Sequence, residues 1–429
     1  MLEGLTPARS TVTLNAHIFA LRRGMSTSIH TRERTAPTSG ILALPLLSVE
    51  LLAFFFAASA PSPLFVVFRN RWSLGASTLT IIFAVYAIAL LVALLTAGAV
   101  SDHIGRKPVV IIGILVQIGA MAMFVAADDV HWIIAARIVQ GLATGIVTGA
   151  LTAAIVEAAP PDKKHIGAML GSVSPLAGLA LGALSSGLIL QLSDTPVLST
   201  FISLAVFFAV AGVLTFFIPE SATPRPGALT SLIPRVSVPP AARAVFLASV
   251  PAIISVWMLG GLYLSLVPST MTEILHIHAG LASGVAIAVL NGVGALTPII
   301  LRKRDSRTTT LIGAGALAAG VPITMTAIGF GSAPVFFIGT AVAGVGFGSA
   351  FAGSIQRLSP LVAPHQRAEL FAALYVVSYL SFSIPAIIAG RMVAPFGLVQ
   401  TELVYGAVLV AMALVALITG LVGGRGRGK

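Results

Sequence analysis

The sequence contains no cysteine among its 429 residues. This absence excludes disulfide bonds, thiolate metal sites and a cysteine nucleophile. Charged residues are also scarce: they make up 9% of the chain, against about 25% in soluble proteins. Hydrophobic residues make up 57%, and the mean hydropathy is +1.01. Together these values exclude an ordinary soluble domain.

Apolar runs recur along most of the chain. Each is about 20 residues long, which is enough to cross the hydrocarbon core of a bilayer as a helix. They predict an all-α integral membrane protein with twelve transmembrane helices. The candidate spans are 41–68, 79–100, 109–126, 132–156, 166–191, 198–218, 244–268, 281–301, 308–330, 333–358, 368–393 and 399–422.

The net charge of +11 is distributed unevenly across these spans. When the loops are read alternately from an inside N-terminus, only Arg69, Arg71 and Arg391 fall outside, and Arg137 falls within a span. All other lysines and arginines lie on the inner side. This positive-inside pattern predicts that both termini are cytoplasmic, and it argues against nucleic acid as a partner.

A proline-rich, basic segment at 219–243 divides the spans into two sets of six. It cannot continue a helix and predicts a cytoplasmic linker. The predicted organisation is therefore a disordered leader at 1–40, six-helix bundles at 41–218 and 244–422, and a basic tail at 423–429. The leader lacks the apolar region of a signal peptide, and Met25 is an alternative start to Met1.

The most informative motif is the polar string Gly98-Ala99-Val100-Ser101-Asp102-His103-Ile104-Gly105-Arg106-Lys107, between the second and third predicted spans. Asp102 lies at the negative end of a helix dipole, so it needs a compensating partner. Gly98 allows a neighbouring helix to approach closely, and Gly105 permits a tight turn. The spacing recurs in Gly294-Ala295 and Arg302-Lys303, which indicates a duplicated protein.

The chain resembles the major facilitator superfamily over roughly residues 40–422. The resemblance rests on the string above and on Arg137-Ile138-Val139-Gln140-Gly141, Pro175-Leu176-Ala177-Gly178 and Pro219-Glu220-Ser221. Pro61-Ser62-Pro63 is also similar to the first-span signature of bacterial drug:proton antiporters. The resemblance implies two six-helix bundles and alternating access. It further implies that Gly98, Asp102, Gly105, Arg106 and Lys107 form a gating latch against the eleventh span in the outward-facing state.

Glu50 is the only acid well inside an early span. It lies ~14 Å from the start of that span, and Arg137 lies ~9 Å into the fourth span from the other side, which leaves a gap of roughly one helical turn. An intramembrane carboxylate is costly unless it faces a cavity or binds a proton. We therefore predict that Glu50 couples transport to protons and that Arg137 tunes it. The alternative is a structural hydrogen bond without titration.

Polar and aromatic residues at mid-span positions are candidates for the substrate cavity, because amphipathic rings can stack on organic compounds. Core packing is the alternative for each of them. Prolines in the fifth and eleventh spans are candidate hinges. The cavity candidates are Gln140, Thr144, Trp257, Tyr263, Asn291, Tyr375 and Tyr379, and the hinge candidates are Pro175 and Pro385.

The sequence predicts a monomeric secondary transporter of a small organic or drug-like molecule in the bacterial inner membrane, coupled to protons and favouring efflux. Proton-coupled uptake of a metabolite and a non-transporting sensor are the alternatives. No enzyme activity is expected, because no span pairs a nucleophile with histidine or a second acid. No cofactor or metal is expected either: there is no Walker motif, and His276 and His278 are too few for a metal site.

Overall fold

The computed structural model describes residues 40–278, 280–363 and 366–422. The described residues contain twelve helices that are long and apolar enough to cross a membrane. We number them span 1 to span 12. In order they are Leu42–Trp72, Ala76–Ala97, Arg106–Val125, Val130–Ala158, Pro161–Leu192, Pro196–Phe216, Pro240–Ser265, Gly280–Lys303, Ser306–Phe330, Ala333–Leu361, Arg367–Phe396 and Leu398–Val422.

The all-helical fold class and the number of spans confirm the sequence prediction. Six spans precede the segment 217–239 and six follow it. That segment contains one short 3-10 turn, Thr230–Leu232. The predicted leader at 1–39 and tail at 423–429 lie outside the described residues. We call the side of the bundle that carries the turn 98–105 the basic face, and the other side the opposite face.

Span 1 is interrupted near its middle. It consists of helices Gly40–Ser59 and Pro61–Trp72, so it runs past the predicted end at residue 68. Proline has no backbone N–H, so Pro61 cannot donate to the carbonyl of Ala57 one turn earlier. That carbonyl accepts instead from the Gln140 side-chain amide of span 4, at 2.7 Å. The proline therefore creates a polar contact point between spans 1 and 4.

Two helices begin at aspartates that accept hydrogen bonds from their first-turn backbone N–H groups. Asp129 accepts from His131 and Trp132 at 2.9 and 3.0 Å, at the start of span 4. The backbone N–H of Trp132 holds the pKa of the Asp129 carboxyl below its usual value. Asp305 accepts from Thr308 at 2.9 Å, at the start of span 9.

Glycines let spans 2 and 4 pack closely. A Cβ atom added to Gly141 would lie 2.9 Å from the Cβ of Ala89, and one added to Gly145 would lie 2.7 Å from the Cβ of Ala93. Real Cβ atoms do not approach so closely, so larger residues would push the helices apart. This small-residue packing is typical of membrane helices, and it fixes span 4, which carries the polar candidates, against span 2.

Candidate functional site

The turn between spans 2 and 3 is built around Gly105. This glycine has φ +104°, a conformation that other residues rarely adopt. The backbone N–H groups of Arg106 and Lys107 donate to the two carboxylate oxygens of Glu220 at 2.8 and 3.0 Å. A Cβ atom on Gly105 would lie 2.6 Å from Glu220 Oε2. The turn and the end of the sixth span are thus held together at the basic face.

Arg106 is the centre of a charge cluster at this turn. Its guanidinium forms ion pairs with Asp102 and, at 3.1 Å, with Glu157 at the end of span 4. Glu157 also accepts from the Ser221 hydroxyl at 2.6 Å. All these groups lie in the first half of the chain, and in the described residues the ion pairs of Asp102 and Arg106 do not reach span 11. The latch against span 11 therefore stays a prediction for another conformation.

Two other members of the string bind neighbouring helices of the first half. The Lys107 ammonium donates to the carbonyl of Phe216 at 2.5 Å, at the end of span 6. Gly98 is approached by span 4, where a Cβ atom on Gly149 would lie 3.1 Å from the carbonyl oxygen of Gly98. Together with Arg106, these contacts join spans 2, 3, 4 and 6 at the basic face.

Arg137 is fully buried and joins three spans. Its guanidinium donates to the carbonyl of Ala58 at 3.0 Å, to the carbonyl of Ile82 at 3.2 Å and to Gln140 Oε1 at 2.7 Å. It also lies 4.3 Å from the ring centroid of Tyr86, in a cation–π contact. Arg137 thus compensates its charge with dipoles of spans 1 and 2.

Glu50 lies apart from Arg137, and this corrects the expected spacing. Its carboxyl Oε1 contacts the Thr215 hydroxyl of span 6 at 2.5 Å. Arg137 instead contacts Ala58, eight residues further along span 1, which is about 12 Å or two helical turns from Glu50. The predicted gap of one helical turn was too short, because Glu50 lies level with the end of span 6 near the basic face.

Three of the predicted cavity residues come together where the two halves meet. The ring centroid of Trp257 lies 4.8 Å from that of Tyr379 and 5.5 Å from that of Phe382, and Tyr375 lies 6.2 Å from Tyr379. Phe83 of span 2 contacts Phe382 of span 11 at 4.7 Å. We call these five residues the aromatic cluster.

The aromatic cluster carries polar atoms without a partner. Trp257 Nε1 and the hydroxyl of Ser378, which lies between Tyr375 and Tyr379 in span 11, have no hydrogen-bond partner among the described residues. Buried polar groups in native proteins are nearly always paired. The cluster and the adjoining Ser378 therefore combine stacking rings with buried polar atoms that lack a hydrogen-bond partner.

The remaining cavity candidates lie elsewhere. Tyr263 donates to or accepts from the Thr340 hydroxyl at 2.6 Å and stacks on Phe336, inside the second half. Gln140 is occupied by Arg137 and Ala57, and the Thr144 hydroxyl donates to the Gln140 carbonyl at 2.9 Å. Asn291 donates to its own helix at 2.9 Å and leaves its Oδ1 unpaired.

The candidate hinges lie inside continuous helices. Pro175 belongs to helix Lys164–Leu192 and Pro385 to helix Arg367–Phe396. Each proline removes one intrahelical hydrogen bond. Their role as hinges stays a prediction.

The two halves contact one another at the opposite face. Arg69, near the end of span 1, forms an ion pair with Glu273, just after span 7, and lies 3.4 Å from the Ser269 hydroxyl. A Cβ atom on Gly187 of span 5 would lie 3.0 Å from the carbonyl oxygen of Gly280 at the start of span 8. These contacts close the opposite face. We call the Arg69–Glu273 pair the outer ion pair.

Comparison with known proteins identifies the family. The family model of the Major Facilitator Superfamily matches residues 47–386. The chain belongs to the major facilitator superfamily. It is a multi-pass membrane transporter with twelve spans, and neither the family nor the fold points to an enzyme.

The chain is also similar to individual members of the family. It is 27% identical over 315 residues to the multidrug resistance protein MdtL of Klebsiella pneumoniae, which covers 68% of this chain and 75% of that one. It is 24% identical over 263 residues to MdtL of Salmonella typhi, which covers 58% and 63%.

Solved structures share the fold at low identity. A bacterial homologue of the human lysosomal transporter Spinster, in an inward-facing and unoccupied conformation, matches with a TM-score of 0.74 at 13% identity, covering 92% of this chain and 99% of that one. The xylose transporter XylE of E. coli, partially occluded and inward open, matches with a TM-score of 0.68 at 15% identity, covering 87% and 96%. A shared fold does not by itself specify the cargo.

The sequence reasoning missed three kinds of contact. The cation–π contact between Arg137 and Tyr86 could not be predicted, because the sequence shows only that Tyr86 is an aromatic residue in span 2. Glu157 and Glu220 could have been found as acids predicted on the same side as Arg106. Glu402 lies near the start of the last span, a position typical of acids that reach the surface, but it is only 2% exposed and its carboxyl contacts the Thr270 hydroxyl at 2.5 Å.

Proposed function

We propose that this transporter exports small amphiphilic organic molecules from the cytoplasm in exchange for protons, across a bacterial inner membrane. The observation that carries the proposal is the aromatic cluster, which joins rings from both halves and contains the unpaired Trp257 Nε1. Such a surface fits flat apolar compounds that carry one polar or cationic group. The similarity to MdtL, a multidrug resistance protein, supports the same cargo class.

The orientation follows from charge. The turn 98–105 and the basic segment after span 6 lie on the basic face, which the positive-inside rule assigns to the cytoplasm. In this proposal the opposite face, where the two halves are in contact, faces outward, and cargo enters the cluster from the cytoplasm. This geometry suits loading of cargo for export.

Glu50 is the proposed proton-coupling carboxyl. It is fully buried, and its Oε1 contacts a neutral hydroxyl at 2.5 Å. Burying an ionised carboxylate that has no charged partner costs a large amount of free energy. Burying protonated Glu50 costs much less free energy, whereas ionised Glu50 requires hydration from the basic face. Arg137, about two turns away, holds spans 1, 2 and 4 in register and does not contact this group.

Dye transport in inverted and right-side-out vesicles tests this function. A cationic fluorescent dye is expected to accumulate in inverted vesicles only when their interior is acidic. Glu50→Gln is expected to lose this accumulation and keep dye exchange without a gradient. Asp128→Asn, at an exposed carboxylate between spans 3 and 4, is the matched control. Dye accumulation that is the same with and without a pH gradient would exclude proton coupling. Proton-driven uptake into right-side-out vesicles would establish symport instead.

A further inference from the structure

Glu402 of span 12 is a buried carboxyl near the opposite face, beside the end of span 7. Its Oε1 contacts the Thr270 hydroxyl at 2.5 Å, and the same hydroxyl lies 3.1 Å from the carbonyl of Leu266. Oε2 of Glu402 has no hydrogen-bond partner among the described residues. A neutral hydroxyl is thus the one polar contact that the structure records for this carboxyl.

The charged and titratable groups around Glu402 do not neutralise it. Span 7 and the segment after it bring Tyr263 and Glu273, and span 12 itself brings Tyr405. Arg391 of span 11 is exposed, and the neighbouring stretches 320–330 of span 9 and 333–340 of span 10 contain no titratable residue. In the described residues no ion pair includes Glu402.

The hydrogen-bond geometry favours a protonated acid. A threonine hydroxyl has one proton to donate, yet Thr270 Oγ1 lies within bonding distance of two acceptors, the Leu266 carbonyl and Glu402 Oε1. Both contacts are satisfied when the acid O–H of Glu402 donates to Thr270 and Thr270 donates to Leu266. An ionised carboxylate would leave a buried negative charge with only one neutral donor.

Glu50 shows the same arrangement near the basic face. Its contact with Thr215 at 2.5 Å is accompanied by a 2.7 Å contact from that hydroxyl to the carbonyl of Ala211. The two carboxyls lie in spans 1 and 12, and their hydroxyl partners lie in span 6 and in the segment that follows span 7. Among the described residues, a buried carboxyl that contacts a threonine hydroxyl thus lies toward each face of the bundle.

We propose that Glu402 is a second proton-binding site, and that its proton keeps the opposite face closed. Thr270 is the first residue of a single π-helical turn, Thr270–Ile274, which also carries Glu273 of the outer ion pair. Such turns often occur at functional sites. When Glu402 loses its proton, its charge needs water, and opening the outer ion pair admits it. This inference rests on the proposed function only in naming the proton as the coupled ion.

Infrared spectroscopy of the purified full chain tests proton binding without cargo or gradient. The carbonyl band of a protonated carboxylic acid is expected at neutral pH, and part of it is expected to disappear in Glu402→Gln. Glu273→Gln, at the exposed ion-paired carboxylate nearby, is the matched control and should keep that part of the band. An unchanged band in Glu402→Gln would overturn the proton site.

Spin-label distances test the link to closure. Because the chain has no cysteine, Asn70→Cys and His278→Cys, both at exposed positions on the opposite face, give one defined label pair. The distance between the labels is expected to lengthen as pH rises in the parent chain and to stay short at every pH in Glu402→Gln. The same pH response in both would refute the link.

Thr270→Val provides a second variant in case Glu402→Gln fails to fold. It removes the hydroxyl and keeps the side-chain shape, so the midpoint of the pH-dependent opening is expected to shift. An unchanged midpoint would count against the site. None of these measurements involves transport, so a failure of proton-driven export would leave them interpretable, and their failure would leave the export test intact.

Discussion

The Arg137 guanidinium donates to the amide oxygen of Gln140 at 2.7 Å, and this pair binds the end of the first helix of the interrupted span 1. Gln140 binds the carbonyl of Ala57, which Pro61 leaves without its usual donor, and Arg137 binds the next carbonyl, that of Ala58. The structure thus supports Arg137 as a positioning residue, whose charge is compensated by backbone dipoles rather than by an acid.

Arg137→Ala is expected to lower the free energy of unfolding by about 3 kcal/mol or more, because it leaves several buried acceptors unpaired. Arg137→Lys is expected to restore little, because an ammonium cannot span the same acceptors. Thermal unfolding in detergent measures both. Arg391→Ala, at an exposed arginine of span 11, is the control. Equal stability of Arg137→Ala and Arg391→Ala would contradict this role.

Gly105→Ala is expected to destabilise the chain by about 1–3 kcal/mol, the usual cost of a strained backbone conformation. Gly105 has φ +104°, and a Cβ atom there would meet Glu220. Gly119→Ala in span 3 is the matched control, because nothing lies within 4 Å of its added Cβ. That control is expected to be neutral or slightly stabilising. Chemical denaturation compares the two, and equal effects would refute a special role for this turn.

Much of the fold could be predicted because apolar runs of bilayer length are hard to mistake. The break in span 1 is also visible in the sequence as Pro61 and Pro63. The direction in which Glu50 points is not visible in the sequence. Span 1 is apolar around its whole circumference, so no amphipathic pattern marks the side that faces the core. Depth along the helix can be counted from the sequence, whereas the partner Thr215 lies 165 residues away.

The candidate site was predicted unevenly for a related reason. Trp257, Tyr375 and Tyr379 stood out because aromatic residues with polar atoms are few in these spans. Glu402 was visible, but its partner Thr270 is one of many hydroxyl residues, and only the packing of the segment after span 7 against span 12 selects it. Tyr263 was predicted to line the cavity for the same reason, but its hydroxyl contacts Thr340 in the interior of the second half, away from the aromatic cluster.

Trp257→Ala is expected to raise the KM for a cationic dye about tenfold, equivalent to about 1.4 kcal/mol, because it removes the central ring of the aromatic cluster. Trp257→Phe keeps a ring but loses the unpaired N–H, so its KM is expected to lie between those of the parent chain and Trp257→Ala. Tyr263→Phe, outside the cluster, is the control. Dye transport at varied concentration measures KM, and an unchanged value in Trp257→Ala would place the cargo elsewhere.

Asp102→Asn is expected to shift the chain toward the conformation closed at the opposite face. In that conformation the Asp102–Arg106 pair is largely exposed on the aspartate side and contributes at most about 1 kcal/mol. A latch to span 11 would stabilise the alternate conformation further, so its loss depopulates that state. The label pair at Asn70→Cys and His278→Cys should then report a larger short-distance fraction. Asp128→Asn should leave the distribution as it was, and the same result for Asp102→Asn would eliminate the latch.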